Sequence, residues 1–234
     1  ETGVIQPIEE ISDLVSEANG LLLIDAVQAL GKLPVDMAEL GVDLMTVSAH
    51  KIGGPKGIGA LAIHSRTEIG AQLVGGGQES RRRAGTENVS GAVGFAETCV
   101  EVSKNRDEID RILYLRNRLE KQLISEVPDI EIHGRGSPRL VNTSCVRLVG
   151  MPAETQIIAL DLAGVAVSAG AACSSGKVAS SHVLRAMGVE PIAADESIRV
   201  SLGWATTEKE IEHATTAWLA LYNQIQNKSG KTAA

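Results

Sequence analysis

The sequence predicts an α/β protein, in which a mostly parallel sheet with helices is followed by a second α/β domain. Two observations lead to this prediction. Short apolar runs of strand length alternate with longer segments of helical periodicity along the chain. Of the 234 residues, 44% are hydrophobic but only 2% are aromatic, while 24 are glycine. An aliphatic core with many tight turns suits layered helices and sheets better than an aromatic-rich β-sandwich.

The N-terminal part contains the apolar runs that are typical of buried strands, which are nearly continuous in parallel sheets. In chain order we predict an amphipathic helix at residues 7–18, buried strands at residues 21–25 and 42–48, a glycine-rich loop at residues 53–59 and a third apolar strand at residues 60–63. This alternation indicates a wound α/β layer.

A long helical stretch at residues 91–127 follows, and a change in composition at residues 105–110 marks the predicted domain boundary. We expect one domain at residues 1–105, a second at residues 106–228 and a frayed tail at residues 229–234. The elements predicted after the long helix are strands at residues 130–133, 140–149, 165–168 and 197–202, and helices at residues 154–162, 181–187 and 207–227.

The overall charge is acidic, because 29 acidic and 22 basic side chains give a formal charge of -7 and a pI near 5.3. Nucleic acids and anionic membranes are therefore not expected as partners. The longest apolar run, residues 162–173, contains Ser168 and is shorter than the roughly 18 residues that a membrane-spanning helix needs. With no recognisable leader segment, the protein is expected in the cytoplasm.

The three cysteines are widely spaced, with no Cys-x-x-Cys pair and no histidine at metal-ligand spacing. Neither a metal site nor a disulfide framework is expected. Cys99 lies in a helical pattern and Cys145 in a strand-like run, so both are interpreted as packing residues. Cys173 lies among alanine, glycine and serine, which favours an exposed, mobile thiol. A linker cysteine without a chemical role is an equally good interpretation of that composition.

Asp25, Gln28 and Lys51 follow the ends of two neighbouring predicted strands. Ligands of open α/β sheets bind beyond the carboxyl ends of the strands, so these side chains are expected at one rim. A partly desolvated lysine has a lowered pKa, which favours Schiff-base formation, and an aspartate beside it can pair with a protonated heterocyclic nitrogen. A salt bridge between Asp25 and Lys51 is the commoner arrangement in proteins and is favoured on spacing alone.

Two short segments offer donors for a phosphate group. Ser48 and His50 flank the end of the second strand, and Thr86 follows a glycine and a run of three arginines. Each signal is weak, because a strand often ends in serine and an arginine run is usually a solvated surface. The glycine-rich loop at residues 53–59 lacks the Lys-Ser or Lys-Thr pair of a nucleotide P-loop, so nucleotide binding is not expected.

Six segments combine small and polar residues in a fixed order along the chain. They are Asp25-Ala-Val-Gln28, Ser48-Ala-His50-Lys51-Ile-Gly-Gly-Pro-Lys-Gly-Ile-Gly59, Gly75-Gly-Gly-Gln-Glu79, Arg83-Ala-Gly-Thr86-Glu-Asn88, Ser168-Ala-Gly-Ala-Ala-Cys173-Ser and Ser197-Ile-Arg199-Val-Ser201. This set resembles the motifs of NifS/IscS-type cysteine desulfurases, which belong to the class-V aminotransferases among the fold-type I pyridoxal-phosphate enzymes. Because six ordered motifs are more specific than any one, the resemblance favours a cofactor role for Lys51 over the salt bridge.

The resemblance implies a set of cofactor contacts. Lys51 matches the lysine that holds pyridoxal phosphate covalently, and Asp25 matches the partner of the pyridine nitrogen. Gln28 matches the donor to the phenolic oxygen of the cofactor. Ser48 and His50 match ligands of its phosphate group.

The resemblance also implies the substrate and partner contacts. Thr86 matches a phosphate ligand that is donated across the interface of a homodimer. Arg199 matches the arginine that binds the substrate carboxylate, for which a planar fork is suited better than a lysine. Cys173 matches the nucleophile. The implied reaction converts L-cysteine to L-alanine and leaves a persulfide on Cys173, from which sulfur passes to an acceptor scaffold protein for iron–sulfur assembly or thiolation.

Two alternatives remain open. A selenocysteine lyase or another class-V relative would share Lys51, Asp25 and Arg199. Cys173 distinguishes a desulfurase from a plain transaminase, because a transaminase has no use for a thiol at this position. A non-catalytic fragment that only dimerises or docks a sulfur-accepting scaffold would carry no cofactor on Lys51.

Family members carry a long N-terminal portion before the segment that matches Glu1. It provides a phosphate loop, a histidine that stacks on the cofactor ring and an asparagine, and none of these has a match in this chain. We therefore expect residues 1–105 to represent part of a larger domain. On its own this polypeptide is expected to bind pyridoxal phosphate weakly and to show little desulfurase activity, and robust alanine production from L-cysteine would contradict this.

Overall fold

The computed structural model describes residues 1–104, 106–128, 130–170 and 180–232. The chain divides into two compact units. Gln6–Arg106 forms one, which we call the N-terminal unit, and Glu1–Ile5 together with Asp107–Ala234 forms the other, which we call the C-terminal unit. Both contain helices and sheet, so the predicted α/β class is confirmed.

The N-terminal unit contains a three-stranded sheet and two helices. The elements are α1 (Ile8–Glu17), β1 (Leu23–Asp25), β2 (Leu44–Ser48), a 3-10 turn (Ala49–Lys51), β3 (Gly59–Ile63), a second 3-10 turn (Glu79–Arg81) and α2 (Val89–Lys104). The strand order is β1-β2-β3. Strand β1 runs parallel to β2, and β3 pairs with β2 in the antiparallel direction.

The first strand is less buried than its apolar sequence predicts. Leu21 is 65% exposed and Leu23 is 54% exposed, and Leu61 on β3 is 42% exposed. The buried part of the unit is carried instead by β2 and the residues around it, including Val42 and Met45. The prediction of a fully buried strand at residues 21–25 is wrong, because Leu22 and Ile24 are only half-buried and the alternate side chains are exposed.

The C-terminal unit contains a four-stranded antiparallel sheet with helices. The elements are α3 (Arg106–Glu126), β4 (Ile130–His133), β5 (Thr143–Leu148), α4 (Ala153–Leu162), β6 (Ser168–Ala169), α5 (His182–Ala186), α6 (Pro191–Asp195), β7 (Ser197–Ser201) and α7 (Glu208–Thr232). The strand order is β4-β5-β7-β6, and all three strand pairs are antiparallel. Its core joins α3, α4 and α7 to the sheet through residues such as Leu119, Leu148, Leu160 and Trp218.

Several predicted boundaries differ from the structure. The predicted helical stretch at residues 91–127 is helical on both sides of residue 105, as α2 and α3, and residue 105 itself lies outside the described residues. Strand β6 is shorter than predicted, and α6 was not predicted. Helix α7 continues to Thr232, so residues 229–232, predicted to be frayed, are helical.

Candidate functional site

The ends of β1 and β2 form one rim of the sheet in the N-terminal unit. The two strands are parallel, and Asp25 at the end of β1 is in register with Thr46 of β2. The Ala26 amide donates to the Thr46 carbonyl at 2.9 Å, which extends the pairing one residue beyond β1. Because both strands end in the same direction, the residues that follow them, Asp25 and Gln28 after β1 and Ser48 to Lys51 after β2, are on the same edge of the sheet.

Local hydrogen bonds hold the two polar side chains that follow β1. The Val27 amide donates to Asp25 Oδ1 at 2.9 Å, an Asx-type turn that fixes the carboxylate at the strand end. Lys32 Nζ donates to Gln28 Oε1 at 2.6 Å, one helical turn along the chain. Since a lysine ammonium can only donate, the Gln28 amide oxygen is used in this contact and its NH2 group keeps its capacity to donate to a ligand.

A 3-10 turn, Ala49–Lys51, carries the polar side chains that follow β2. Ser48 Oγ lies 2.8 Å from His50 Nδ1, so the hydroxyl and the ring form one hydrogen-bonded pair. Ala49, by contrast, is fully buried and anchors the turn, accepting from the Gly54 amide at 2.9 Å. Lys51 therefore projects from a short segment whose backbone is fixed on its inner side.

The glycine-rich loop at residues 53–59 connects β2 to β3 and holds this turn by close backbone approach. A Cβ at Gly54 would lie 3.0 Å from Ala49 Cβ, and one at Gly59 would lie 2.7 Å from the Val47 carbonyl oxygen. Gly57 has a φ of 80°, a left-handed conformation that L side chains rarely adopt. These glycines therefore have a structural role in holding the turn next to β3.

Most side chains at the rim are exposed to solvent. Asp25, Gln28, His50 and Lys51 are exposed and Ser48 is half-buried. Lys51 was expected to be partly desolvated. This expectation is wrong, because none of the described residues packs over its side chain. The alternative salt bridge is not observed either: no ion pair joins Asp25 to Lys51.

Thr86 lies farther along the N-terminal unit, after a strained segment that the sequence did not predict. Glu79, Ser80 and Arg81 all have left-handed φ values, of 47°, 54° and 63°. Such conformations cost about 1–2 kcal/mol for each non-glycine residue, and they tend to occur at functional segments. Thr86 itself is exposed and follows Gly85, which has a φ of 105°.

Arg199 is the predicted site residue that lies in the C-terminal unit. It stands in the middle of β7, paired with Cys145 on β5 and with Ser168 on β6. Its Nε is buried and has no hydrogen-bond partner among the described residues. A buried donor without a partner costs about 1–3 kcal/mol. Such a guanidinium is suited to receive a carboxylate from outside the chain.

The two cysteines within the described residues are not activated thiols. Cys145 is 3% exposed, and burial raises the pKa of its thiol from 9.0 to about 12. Cys99 is half-buried, and burial raises the pKa of its thiol as well. The thiolate is the reactive form, so the interpretation of both as packing residues is confirmed. Cys173, the predicted nucleophile, lies outside the described residues.

The structure thus brings Asp25, Gln28, Ser48, His50 and Lys51 to one rim of the N-terminal unit and places Arg199 separately in the C-terminal unit. An amine, a carboxylate, an amide and a hydroxyl at one rim can bind a phosphorylated heterocycle. Sequence reasoning missed Lys32, which fixes the orientation of the Gln28 amide. Its i, i+4 spacing from Gln28 was the available signal.

Two features are absent from the described residues. None of their helices combines the length and the apolar character that crossing a membrane requires. In the same part of the chain, no three His, Cys, Asp or Glu side chains are grouped so that they could hold a metal ion.

Comparisons with known proteins agree on one family. Residues 1–213 match the aminotransferase class-V family. A cysteine desulfurase of Klebsiella pneumoniae is 41% identical over 226 residues, which are 97% of this chain and 57% of that protein. A NifS-like protein from Rickettsia africae superposes with a TM-score of 0.86 at 34% identity, over 95% of this chain and 59% of that one.

A third relative is a solved structure described as SspA in complex with cysteine. It has a TM-score of 0.69 and 26% identity, over 86% of this chain and 56% of that one. The chain therefore spans little more than half the length of each of these relatives.

Proposed function

The chain belongs to the class-V aminotransferase family, and on this basis we propose that it carries the cofactor and substrate residues of a pyridoxal-phosphate-dependent cysteine desulfurase. The observation that carries the proposal is the grouping of Asp25, Gln28, Ser48, His50 and Lys51 beyond the ends of two parallel strands. The names of the relatives support the reaction, since the Klebsiella pneumoniae protein is a cysteine desulfurase. The SspA structure, with its bound cysteine, supports the substrate.

The residues at the rim suit pyridoxal phosphate in chemical type. Lys51 supplies the primary amine that holds the aldehyde carbon, and Asp25 supplies a carboxylate that holds a proton at the ring nitrogen. Gln28 has an NH2 group available for the phenolic oxygen, because Lys32 uses its amide oxygen. Ser48 and His50, already hydrogen-bonded to each other, supply donors for the phosphate. When bound, the cofactor supplies an electron-withdrawing ring that eases removal of the substrate α-proton.

Arg199 binds the substrate carboxylate in this proposal. Its buried Nε has no partner among the described residues, so a carboxylate would satisfy a donor that the chain leaves unpaired. A guanidinium also fixes the carboxylate in a plane through two parallel hydrogen bonds. The α-carbon and the sulfur of L-cysteine are then oriented by the same contact.

Cys173 acts as the nucleophile toward the substrate sulfur. Its thiolate forms a sulfur–sulfur bond while the bond between the substrate sulfur and its β-carbon breaks. The electron pair of the broken bond stays with the β-carbon, which is protonated, so that L-alanine leaves and Cys173 carries a persulfide. The thiol and L-cysteine together contain every atom of the persulfide and L-alanine, so no outside oxidant is required.

The wider arrangement follows from the same proposal. Residues 6–105 belong to the cofactor-binding domain. Residues 106–228, which form one compact unit with Glu1–Ile5, belong to a domain that carries Cys173. Thr86 is donated to the cofactor phosphate of a second copy in a homodimer, and a scaffold protein accepts the sulfur. Cys99 and Cys145 are free thiols, which supports a reducing compartment such as the cytoplasm.

Sulfur release tests the proposal. The protein expressed from its complete gene is incubated with pyridoxal phosphate and L-cysteine, and alanine and protein-bound persulfide are measured. Wild type is expected to give both products, with the persulfide on the peptide that contains Cys173. Cys173→Ala is expected to lose both, and Cys99→Ala serves as the matched control that keeps both. Alanine release by Cys173→Ala at the wild-type rate would instead indicate another class-V activity.

A further inference from the structure

A cavity in the C-terminal unit carries an unbalanced group of positive charges. It has a volume of about 470 Å³ and is formed by α3 and by the segment between β4 and β5. None of the residues assigned above to the cofactor or the substrate lines it. We call this space and its wall the arginine cavity. The charged residues of the wall are Arg116, Glu120, Lys121, Arg135 and Arg139.

Glu120 is the one carboxylate in this wall, and its bonding capacity is used by its neighbours. Arg139 donates to both carboxylate oxygens, at 2.8 Å and 2.9 Å, and Ser144 Oγ donates to Oε1 at 2.8 Å. Burial alone would raise the pKa of Glu120, but the hydrogen bonds from Arg139 and Ser144 outweigh it and the pKa is lowered. Glu120 is therefore an ionised carboxylate whose main partner is the Arg139 guanidinium.

Arg116 is left without a carboxylate of its own. Its side chain is only 9% exposed, and its hydrogen bonds go to neutral oxygens: the Leu140 carbonyl at 2.7 Å and Asn117 Oδ1 at 2.9 Å. The nearest carboxylate oxygen, on Glu120, lies 4.0 Å away. Burial, and after it the charge of Arg139, lower the pKa of the Arg116 guanidinium, and the charge of Glu120 opposes them only in part. The one counter-ion of this buried charge is thus distant and shared with Arg139. An anion in the adjoining space would offset the remaining cost of burying the charge.

Lys121 and Arg135 add two further positive charges to the same wall, and both are exposed. Four cations therefore face one carboxylate that Arg139 already neutralises. A single carboxylate ligand would balance only one of the three remaining charges, whereas a phosphate monoester carries about two negative charges near pH 7. Guanidinium forks match the geometry of phosphate oxygens.

We propose that the arginine cavity binds a small organic phosphate monoester, with its phosphate between Arg116 and the pair of Lys121 and Arg135. The volume exceeds that of a bare phosphate ion and lies in the range of small-molecule pockets, about 300–1,000 Å³. Ile124 gives the wall an apolar contact for the carbon part of the ligand. This site is independent of the proposed cofactor site, which uses residues of the other unit.

Isothermal titration tests the site, with inorganic phosphate and glycerol 3-phosphate as probes at constant ionic strength in chloride. The protein is expressed from its complete gene, and its cofactor is first fixed to Lys51 by borohydride reduction. Glycerol 3-phosphate is expected to bind more tightly than inorganic phosphate. Lys121→Gln and Arg135→Gln are each expected to weaken both probes by about tenfold, since each removes one charge-assisted contact. Both side chains are exposed, so these variants keep the fold.

Two controls make the result decisive. Arg185→Gln removes an exposed arginine elsewhere in the unit and is expected to leave the affinity within about twofold. Ser48→Ala changes the proposed cofactor-phosphate site and is also expected to leave it unchanged. Binding that is lost in Ser48→Ala but kept in Lys121→Gln and Arg135→Gln would overturn the proposal. So would a failure of either probe to bind wild type, or equal affinity for both probes.

Discussion

Arg199 combines a central position in the sheet with a buried donor that has no partner among the described residues. It is held in the centre of an antiparallel sheet by partners on both sides, Cys145 and Ser168. Its Nε is nevertheless unpaired within the described residues. Sheet pairing fixes the backbone of the residue, and its side chain places Nε where it is buried without a protein acceptor among the described residues. A carboxylate ligand is the group that best satisfies this arrangement.

Replacing Arg199 with lysine is expected to weaken substrate binding more than the chemical step. Lysine keeps the charge but loses the planar fork, and a charge-assisted hydrogen bond of about 2 kcal/mol corresponds to about a 30-fold fall in kcat/KM. Steady-state kinetics with L-cysteine measure this, with the loss expected mainly in KM. The matched control is Arg185→Lys on the surface. An unchanged KM in Arg199→Lys would contradict the assignment.

Cys145 is expected to make the protein less stable at high pH. Burial raises the pKa of its thiol from 9.0 to about 12, so in the folded state it stays protonated after the unfolded thiol has ionised. Below pH 9 the thiol is protonated in both the folded and the unfolded state, so it adds no pH dependence to the free energy of unfolding. Between pH 9 and about 12 the unfolded state holds fewer protons, and the free energy of unfolding falls by about 1.4 kcal/mol per pH unit.

Urea unfolding of wild type and Cys145→Ala at pH 8 to 10.5 isolates this contribution, because the tyrosines and lysines titrate in both proteins. The difference in free energy of unfolding between the two is expected to shrink as the pH rises above 9. Parallel pH profiles would show that Cys145 is not held protonated by burial.

At the scale of elements, the loop between β2 and β3 positions the turn that carries Lys51. Gly59 is required because a Cβ there would lie 2.7 Å from the Val47 carbonyl oxygen, which belongs to the backbone of the paired strand. Backbone cannot move aside as a flexible side chain can. The spacing of β2 and β3 therefore depends on glycine at this position.

Gly59→Ala is expected to lower the free energy of unfolding of the N-terminal unit by about 2 kcal/mol. It is also expected to weaken cofactor binding at Lys51. Gly70→Ala is the matched control, because nothing lies within 4 Å of the position of its Cβ. Thermal unfolding followed by circular dichroism measures the difference. Equal midpoints for the two variants would contradict the role assigned to Gly59.

Elements with strong local signals could be predicted from the sequence. Helix α1 and strand β4 lie where the apolar periodicity predicts them, and α4 begins one residue earlier. Helix α6 had no such signal, because its five residues are too few for periodicity to indicate. The exposure of β1 depends on tertiary packing, which a continuous apolar run does not report.

The candidate site could be predicted in part for the same reason. Parallel strands bring Asp25 and Lys51 to one rim, and this follows from topology alone. The unpaired Nε of Arg199 could not be predicted, because it depends on which acceptors the folded chain places nearby. The arginine cavity likewise depends on the contact between Glu120 of α3 and Arg139, which are distant in sequence.

At the scale of the whole molecule, the two units differ in the size of their cores. The C-terminal unit buries a large aliphatic cluster around Trp218, including Leu115 and Leu119. The N-terminal unit buries few large side chains and leaves Leu23, Val89 and other apolar residues exposed. Burial of apolar surface is the main stabilising contribution in folding. We therefore expect the C-terminal unit to be the more stable of the two.

Amide hydrogen exchange of this 234-residue chain is expected to reflect this difference. Amides in β5 and β7, which pair at the centre of the larger sheet, are expected to exchange more slowly than those of β1 and β3. Mass spectrometry of peptic peptides measures both in one experiment. Equal protection of the two sheets would show that the exposed apolar residues of the N-terminal unit do not limit its stability.

Borohydride reduction identifies the lysine to which the cofactor is attached. The protein expressed from its complete gene is incubated with pyridoxal phosphate, reduced with borohydride, digested and mapped by mass spectrometry. A phosphopyridoxyl group is expected on the peptide that contains Lys51. It is expected to be lost in Lys51→Ala and retained in Lys56→Ala, the matched control. An unmodified Lys51, or modification of another lysine in its place, would contradict the cofactor role of Lys51.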